Sequence, residues 1–146
     1  MVDESGMPIS PEFRNAVMSA IGKLKVSQDE AQRYMVEFVP VYALYGPSYD
    51  MKVAGGSIKN TYLGLWTDHW NGYPGSPHGL IFLFESGIRT VNPDVYDQTY
   101  QTLVHEMDHA LQRDHVLAGM HAAKARGWGV QGRAQSYGCR PCLGIR

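Results

Sequence analysis

The 146 residues predict an α+β fold, with N-terminal helices and a small antiparallel sheet packed on one long helix that carries an HExxH motif. Three observations point there. Two stretches near the N-terminus place apolar residues at helical spacing, and Leu80-Ile81-Phe82-Leu83-Phe84 is a compact apolar run bounded by turn residues. His105-Glu106-Met107-Asp108-His109 then falls inside a third helical run. Helices, then strands, then a helix keep the element types apart, which separates this pattern from an alternating α/β one.

Ser10-Pro11-Glu12 reads as a helix start, with Phe13, Val17, Ala20, Ile21 and Leu24 forming its apolar face. Ser27 and Glu30 have capping-box spacing for a second helix that carries Tyr34, Met35 and Phe38 and stops by Pro40. Between Gly46 and Pro77 glycine, proline and aromatic residues dominate, with short extended segments expected at 51–53 and 62–66. The run at 80–84 is the strongest strand. The motif helix is expected from about 93 to 118, with Asn92 as N-cap, Pro93 at the first helical position and Asp94 as an early acid. Its apolar positions are Tyr96, Tyr100, Leu103, Val104 and Met107. Gly119 is expected to break it before a second helical stretch at 120–126, and the glycines that follow predict an irregular end.

Length suits one domain spanning 1–146, whose last part, 127–146, reads as an irregular basic tail with a lone CxxC. The formal net charge of −1 favours no class of partner, but its distribution is uneven. After His115 come Lys124, Arg126, Arg133, Arg140 and Arg146 without one acidic residue. Such a stretch suits either a polyanion such as DNA or plain solvation. No apolar run approaches the 18 or so residues of a membrane span, and Asp3 and Glu4 stand where a signal peptide would be basic. Cys139 and Cys142 are too few for a disulfide framework, so a cytoplasmic location without membrane contact is expected.

The chemistry is in the motif. Four residues along a helix rise about 6 Å, so His105 and His109 project from one face and can share a zinc ion at about 2.0–2.1 Å each. Glu106 then lies beside the open side of the metal, where a carboxylate can take a proton from a metal-activated water and pass it to a leaving amine. The expected substrate is a protein or peptide. An amphipathic helix can also carry HExxH by accident, and the apolar, well-capped context argues against that here.

A catalytic zinc takes three protein ligands and leaves one position open. His115 has metzincin spacing, but Gln112 stands where that motif has a turn-forming glycine. On an unbroken helix His115 lies roughly 9 Å beyond His109 and rotates off the shared face. His121 follows Gly119, where a turn could fold the chain back toward the metal. His69, His78 and a carboxylate remain open as well. Asp108 and Asp114 are candidates to orient an imidazole, and Tyr73, His78, His115 and Tyr137 are candidates to stabilise an oxyanion.

The stretch Thr102-Leu-Val-His-Glu-Met-Asp-His-Ala-Leu111 resembles the HExxH helix of SprT-like zinc metallopeptidases. In that family the third histidine follows the second by a dozen or so residues, after a glycine or short loop. His121 matches that distance, although Ala122 replaces the usual glycine. Ser136-Tyr-Gly-Cys-Arg-Pro-Cys142 is similar to the start of the family's zinc ribbon but lacks a second cysteine pair. The resemblance implies a zincin-like fold, a Zn2+ cofactor held by His105, His109 and His121, and endopeptidase activity with Glu106 as general base. Some relatives act on proteins bound to DNA. Two other readings stand beside it: a metzincin-like peptidase using His115, and a non-catalytic, zinc-stabilised component of a larger assembly such as a phage particle.

Overall fold

A computed structural model describes residues 3–51 and 62–125, with side chains described as far as Gln112. Its elements in chain order are α1 (Pro11–Lys25), α2 (Glu30–Met35), β1 (Val41–Leu44), β2 (Gly64–Thr67), β3 (Leu80–Phe84), α3 (Glu85–Val91) and α4 (Val95–Ala125). The fold is α+β. No helix among the described residues is long and apolar enough to cross a membrane.

The three strands form one sheet in the order β1-β3-β2. The sheet is mixed, not antiparallel as expected: β1 runs parallel to β3, and only β2 pairs antiparallel with it. The long segment between β1 and β3 contains β2, so it can act as the crossover that parallel pairing needs. Gly79 makes the turn into β3 possible. It sits at φ +87°, and a Cβ there would fall 2.6 Å from Trp66 Nε1 and 2.7 Å from the Thr67 carbonyl oxygen.

Side chains of β3 alternate between two cores. Ile81 and Leu83 join Phe13, Ala16, Val17, Ala20 and Leu24 of α1, Met35 of α2, and Leu103, Met107, Ala110 and Leu111 of α4. Leu80, Phe82 and Phe84 face the other way, toward Met51, Tyr62 and Leu65, with Tyr42, Trp70 and Tyr73 packed alongside. Burial on both faces explains why β3 reads as a continuous apolar run instead of an alternating one.

The first helix forms as its sequence predicts, with Pro11 in the first turn and the Ser10 hydroxyl accepting from the Phe13 N–H at 3.0 Å. The second cap shifts. Asp29, not Ser27, caps α2, accepting from the N–H groups of Ala31 and Gln32, while the Ser27 hydroxyl accepts from the Asp29 N–H. The same two-residue device recurs at α4. Asp94 Oδ1 accepts from the Asp97 N–H, and Asn92 Oδ1 accepts from the Asp94 N–H. In each case an upstream polar side chain holds the backbone of the residue that caps.

Other expectations are corrected. Tyr34 and Phe38 are exposed and pack on each other with ring centroids 4.8 Å apart, leaving Met35 as the buried member of that trio. Met51 is helical, not extended. Tyr96 is exposed, whereas Leu103 and Met107 are fully buried. The motif helix does not break at Gly119 but continues to Ala125, 31 residues in all. A single helix-interior glycine costs only about 1 kcal/mol, too little to terminate a long helix by itself.

Candidate metal site

The site is built on the middle of α4, where that helix passes under the sheet. His105, Glu106, Asp108 and His109 are all buried, at 5%, 1%, 1% and 9% exposure. Four such residues on two turns carry a large desolvation cost unless they are engaged with one another or with a ligand. The two imidazoles are engaged. Their Nε2 atoms are 3.1 Å apart, with the rings nearly perpendicular and their centroids 4.8 Å apart. Two nitrogens 3.1 Å apart, each about 2.0–2.1 Å from one ion, would subtend roughly 100° at it, close to a tetrahedral angle. The histidine pair therefore fits a zinc ion.

Strand β2 lies directly against this turn. A Cβ built at Gly64 would fall 2.8 Å from Thr102 Cγ2, 3.1 Å from the Phe82 carbonyl oxygen and 3.2 Å from Glu106 Cγ. Only glycine lets the strand come this close to Thr102 and to the stem of Glu106. Among the described residues β2 is an edge of the sheet, and no described strand pairs with its outer side.

From the other side, α2 reaches the same turn through Gln32. Its Nε2 donates to Asp108 Oδ1 at 2.8 Å and to the Val104 carbonyl oxygen at 3.2 Å. The sequence offered Asp108 as an orienting group but gave no sign of Gln32. The available signal was the run Ser27-Gln-Asp29-Glu-Ala-Gln32. At the third helical position of a capping box, Gln32 would normally reach back to the cap's own N–H. Ser27 already accepts that N–H, so the amide is released to turn inward.

No described side chain joins the histidine pair as a third ligand. No group of three His, Cys, Asp or Glu that could hold a metal occurs among the described residues. His78 packs against Phe38 with ring centroids 5.9 Å apart, and the His69 carbonyl oxygen accepts from Thr67 Oγ1. Tyr73 lies edge-on to Phe82 in the other core, across the sheet from the histidine pair. The backbone stays helical through Gln112, without the sharp turn that metzincin spacing needs. The side chains of Asp114, His115 and His121, together with Tyr137, Cys139, Cys142 and the basic stretch from Arg126 onward, lie outside the described residues. On a helix continuous to Ala125, position 121 is about 18 Å along the axis from position 109.

No family model matches the chain, and no curated protein matches it in sequence.

Proposed function

We propose that this protein is a zinc-dependent endopeptidase of SprT-like type, in which His105 and His109 hold the metal and Glu106 is the general base. One observation carries the reading: the two imidazole Nε2 atoms of an HExxH turn converge to 3.1 Å on a buried helix face. Accidental HExxH sequences on a solvated face have no reason to bury both rings and the intervening glutamate together. The likeness of residues 102–111 to the SprT-like motif helix adds support from the sequence.

A zinc ion bound there would act as a Lewis acid on the scissile carbonyl and bring the pKa of water toward neutrality. The rest falls to this chain's own groups. Glu106, pressed between α4 and Gly64, accepts a proton from the attacking water and returns it to the departing amine. The outer side of β2, unpaired among the described strands, would offer backbone donors and acceptors to an extended peptide, a mode of recognition that tolerates varied sequences. His121 completes the ligand set in this reading. It requires the helix to open between Gln112 and Gly119 in the loaded protein, since an unbroken helix holds position 121 too far away and two extended residues beyond Gly119 reach back only about 7 Å.

The test is zinc content measured alongside cleavage of an unfolded protein substrate, with and without DNA. Wild type should hold one zinc per chain. Glu106→Gln should keep the metal and lose activity by at least about 10²-fold. His105→Ala and His109→Ala should lose both, and His121→Ala should lose metal if it is the third ligand. Wild type that holds zinc yet cleaves nothing under any condition, matching Glu106→Gln, would mean that the metal is structural. Absence of zinc uptake by the wild type would end the reading altogether.

A further inference from the structure

We propose that Gln32 is a positioning residue of the metal site, holding the turn that carries His105 and Glu106 in the geometry that binds zinc. The inference rests on the zinc reading above and extends it to a residue on a different element, more than 70 positions away in sequence.

The geometry is specific. The Gln32 amide touches α4 at both ends of a single turn: the Val104 carbonyl oxygen at 3.2 Å and Asp108 Oδ1 at 2.8 Å. His105 and Glu106 lie between those two points. Asp108 is three residues after His105, so the two side chains are neighbours on the helix surface. Nε2 of each histidine faces its partner, so in a ligating pair Nδ1 is the ring atom through which an outer group orients the imidazole. A carboxylate beside a ligating imidazole orients it only as well as the carboxylate itself is held. Gln32 supplies that hold from α2.

Three further facts argue that the amide is present for this grip and not as filler. Gln32 is 2% exposed, deep enough that an apolar side chain would serve packing better. Its Oε1 is buried without a hydrogen-bond partner among the described residues, a penalty that no hydrocarbon side chain would incur. Its backbone is also pinned, because its own N–H is one of the two donated to the Asp29 cap. The short helix α2 thus presents a fixed amide to the motif turn, while Ser27 takes over the capping role that would otherwise occupy it.

The experiment measures zinc affinity of the full chain by competition with a chromogenic chelator, and thermal unfolding of the metal-free protein, for three chains. Gln32→Met keeps the length and volume of the side chain but removes both donors. Val36→Ala weakens the core close to α2 without touching Asp108, and so controls for stability. Wild type is the reference. Gln32→Met should bind zinc about 10- to 100-fold more weakly, with a smaller loss of thermal stability than Val36→Ala. Val36→Ala should bind zinc within about threefold of wild type, the spread expected where no contact to the site is lost. The Co2+ form of Gln32→Met should show altered visible absorption, which a purely structural role would not produce. If Gln32→Met fails to fold, Gln32→Leu provides the same comparison. Equal zinc affinity in wild type and Gln32→Met overturns the proposal and leaves the metal site standing, as does affinity that simply tracks stability across the three chains. No zinc binding by wild type overturns both.

Discussion

Both faces of β3 bury apolar side chains, but they differ in what else they bury. On one side Leu80, Phe82 and Phe84 meet Met51, Tyr62 and Leu65, with Tyr42 and Tyr73 closing around Phe82 at ring distances of 5.7 and 5.0 Å. That core is rich in aromatic rings, and the Tyr42 hydroxyl beside it donates to the Pro74 carbonyl. On the other side, the helices bury His105, Glu106, Asp108, His109, Gln32, Thr99 and Thr102 beside an ordinary aliphatic core. Polar groups withdrawn from water weaken a fold unless they are satisfied. A molecule that needed only stability could have made both faces alike. The asymmetry is what the proposed zinc chemistry would require of one face and not of the other.

The largest expected effect lies on the aromatic face. Phe82→Ala removes a fully buried ring in contact with Tyr42, Tyr73 and Phe84, and should cost about 3–5 kcal/mol in urea unfolding. Among molecules that remain folded, zinc content should be unchanged, because Phe82 points away from α4. A folded Phe82→Ala protein that has lost its metal would mean that the two faces are coupled and would break the comparison.

Gly64→Ala tests the seam between sheet and site. The added methyl would fall 2.8 Å from Thr102 Cγ2, a stiff β-branched side chain on a packed helix that cannot swing aside. Overpacking of this kind costs about 1–3 kcal/mol. Because Glu106 Cγ is the next atom in line, the activity of folded protein should fall further than stability alone explains. Adding Thr102→Ser removes the closest contact and keeps the hydroxyl that accepts from Gln98, so stability should partly return. Lack of any recovery would place the clash with the Phe82 carbonyl or Glu106 instead.

What the sequence disclosed follows from the range of the forces involved. Local signals were legible: Ser10-Pro11 opened α1 where expected, the apolar run became β3, and the motif fell on a buried helix. Each depends on neighbours within about four residues. The misses depend on distant partners. Val41–Leu44 is too short to announce itself and becomes a strand only by pairing with 81–84. Glu85–Val91 contains Gly87 and β-branched residues and reads as a poor helix, yet Ser10 and Arg89 clamp its first residue. Within the site, the histidine pair was readable from a spacing of four. Gln32 and Gly64 were not, because their roles exist only once α2 and β2 lie against α4. The expected break at Gly119 put too much weight on one residue's propensity and too little on the cooperativity of a long helix.

The smallest effect concerns a third region, the clasp that closes α1 onto α3, where a buried carboxylate is satisfied by several contacts at once. Glu85 accepts from the Ser10 N–H at 2.9 Å, the Ser10 hydroxyl at 2.7 Å and Arg89 Nε at 2.7 Å, while Arg89 also reaches Glu12. Burial pushes the Glu85 carboxyl up, but the Ser10 and Arg89 contacts outweigh it and hold the group below its ordinary range. A carboxyl depressed on folding lends stability that is complete above the unfolded value of about 4.3 and is lost as pH falls through the folded value. Glu85→Gln should therefore cost about 1 kcal/mol at pH 7, a modest figure because Arg89 is partly solvated. The gap between variant and wild type should close as pH drops below the ordinary carboxylate range. Urea midpoints at pH 7 and pH 3 decide it, and comparing the two chains at each pH cancels the protonation of the site histidines, which they share. A gap that persists undiminished at pH 3 would show that shape, not charge, holds this clasp. Glu85 would then be held by its fit between α1 and α3 and not by the charge that Ser10 and Arg89 satisfy.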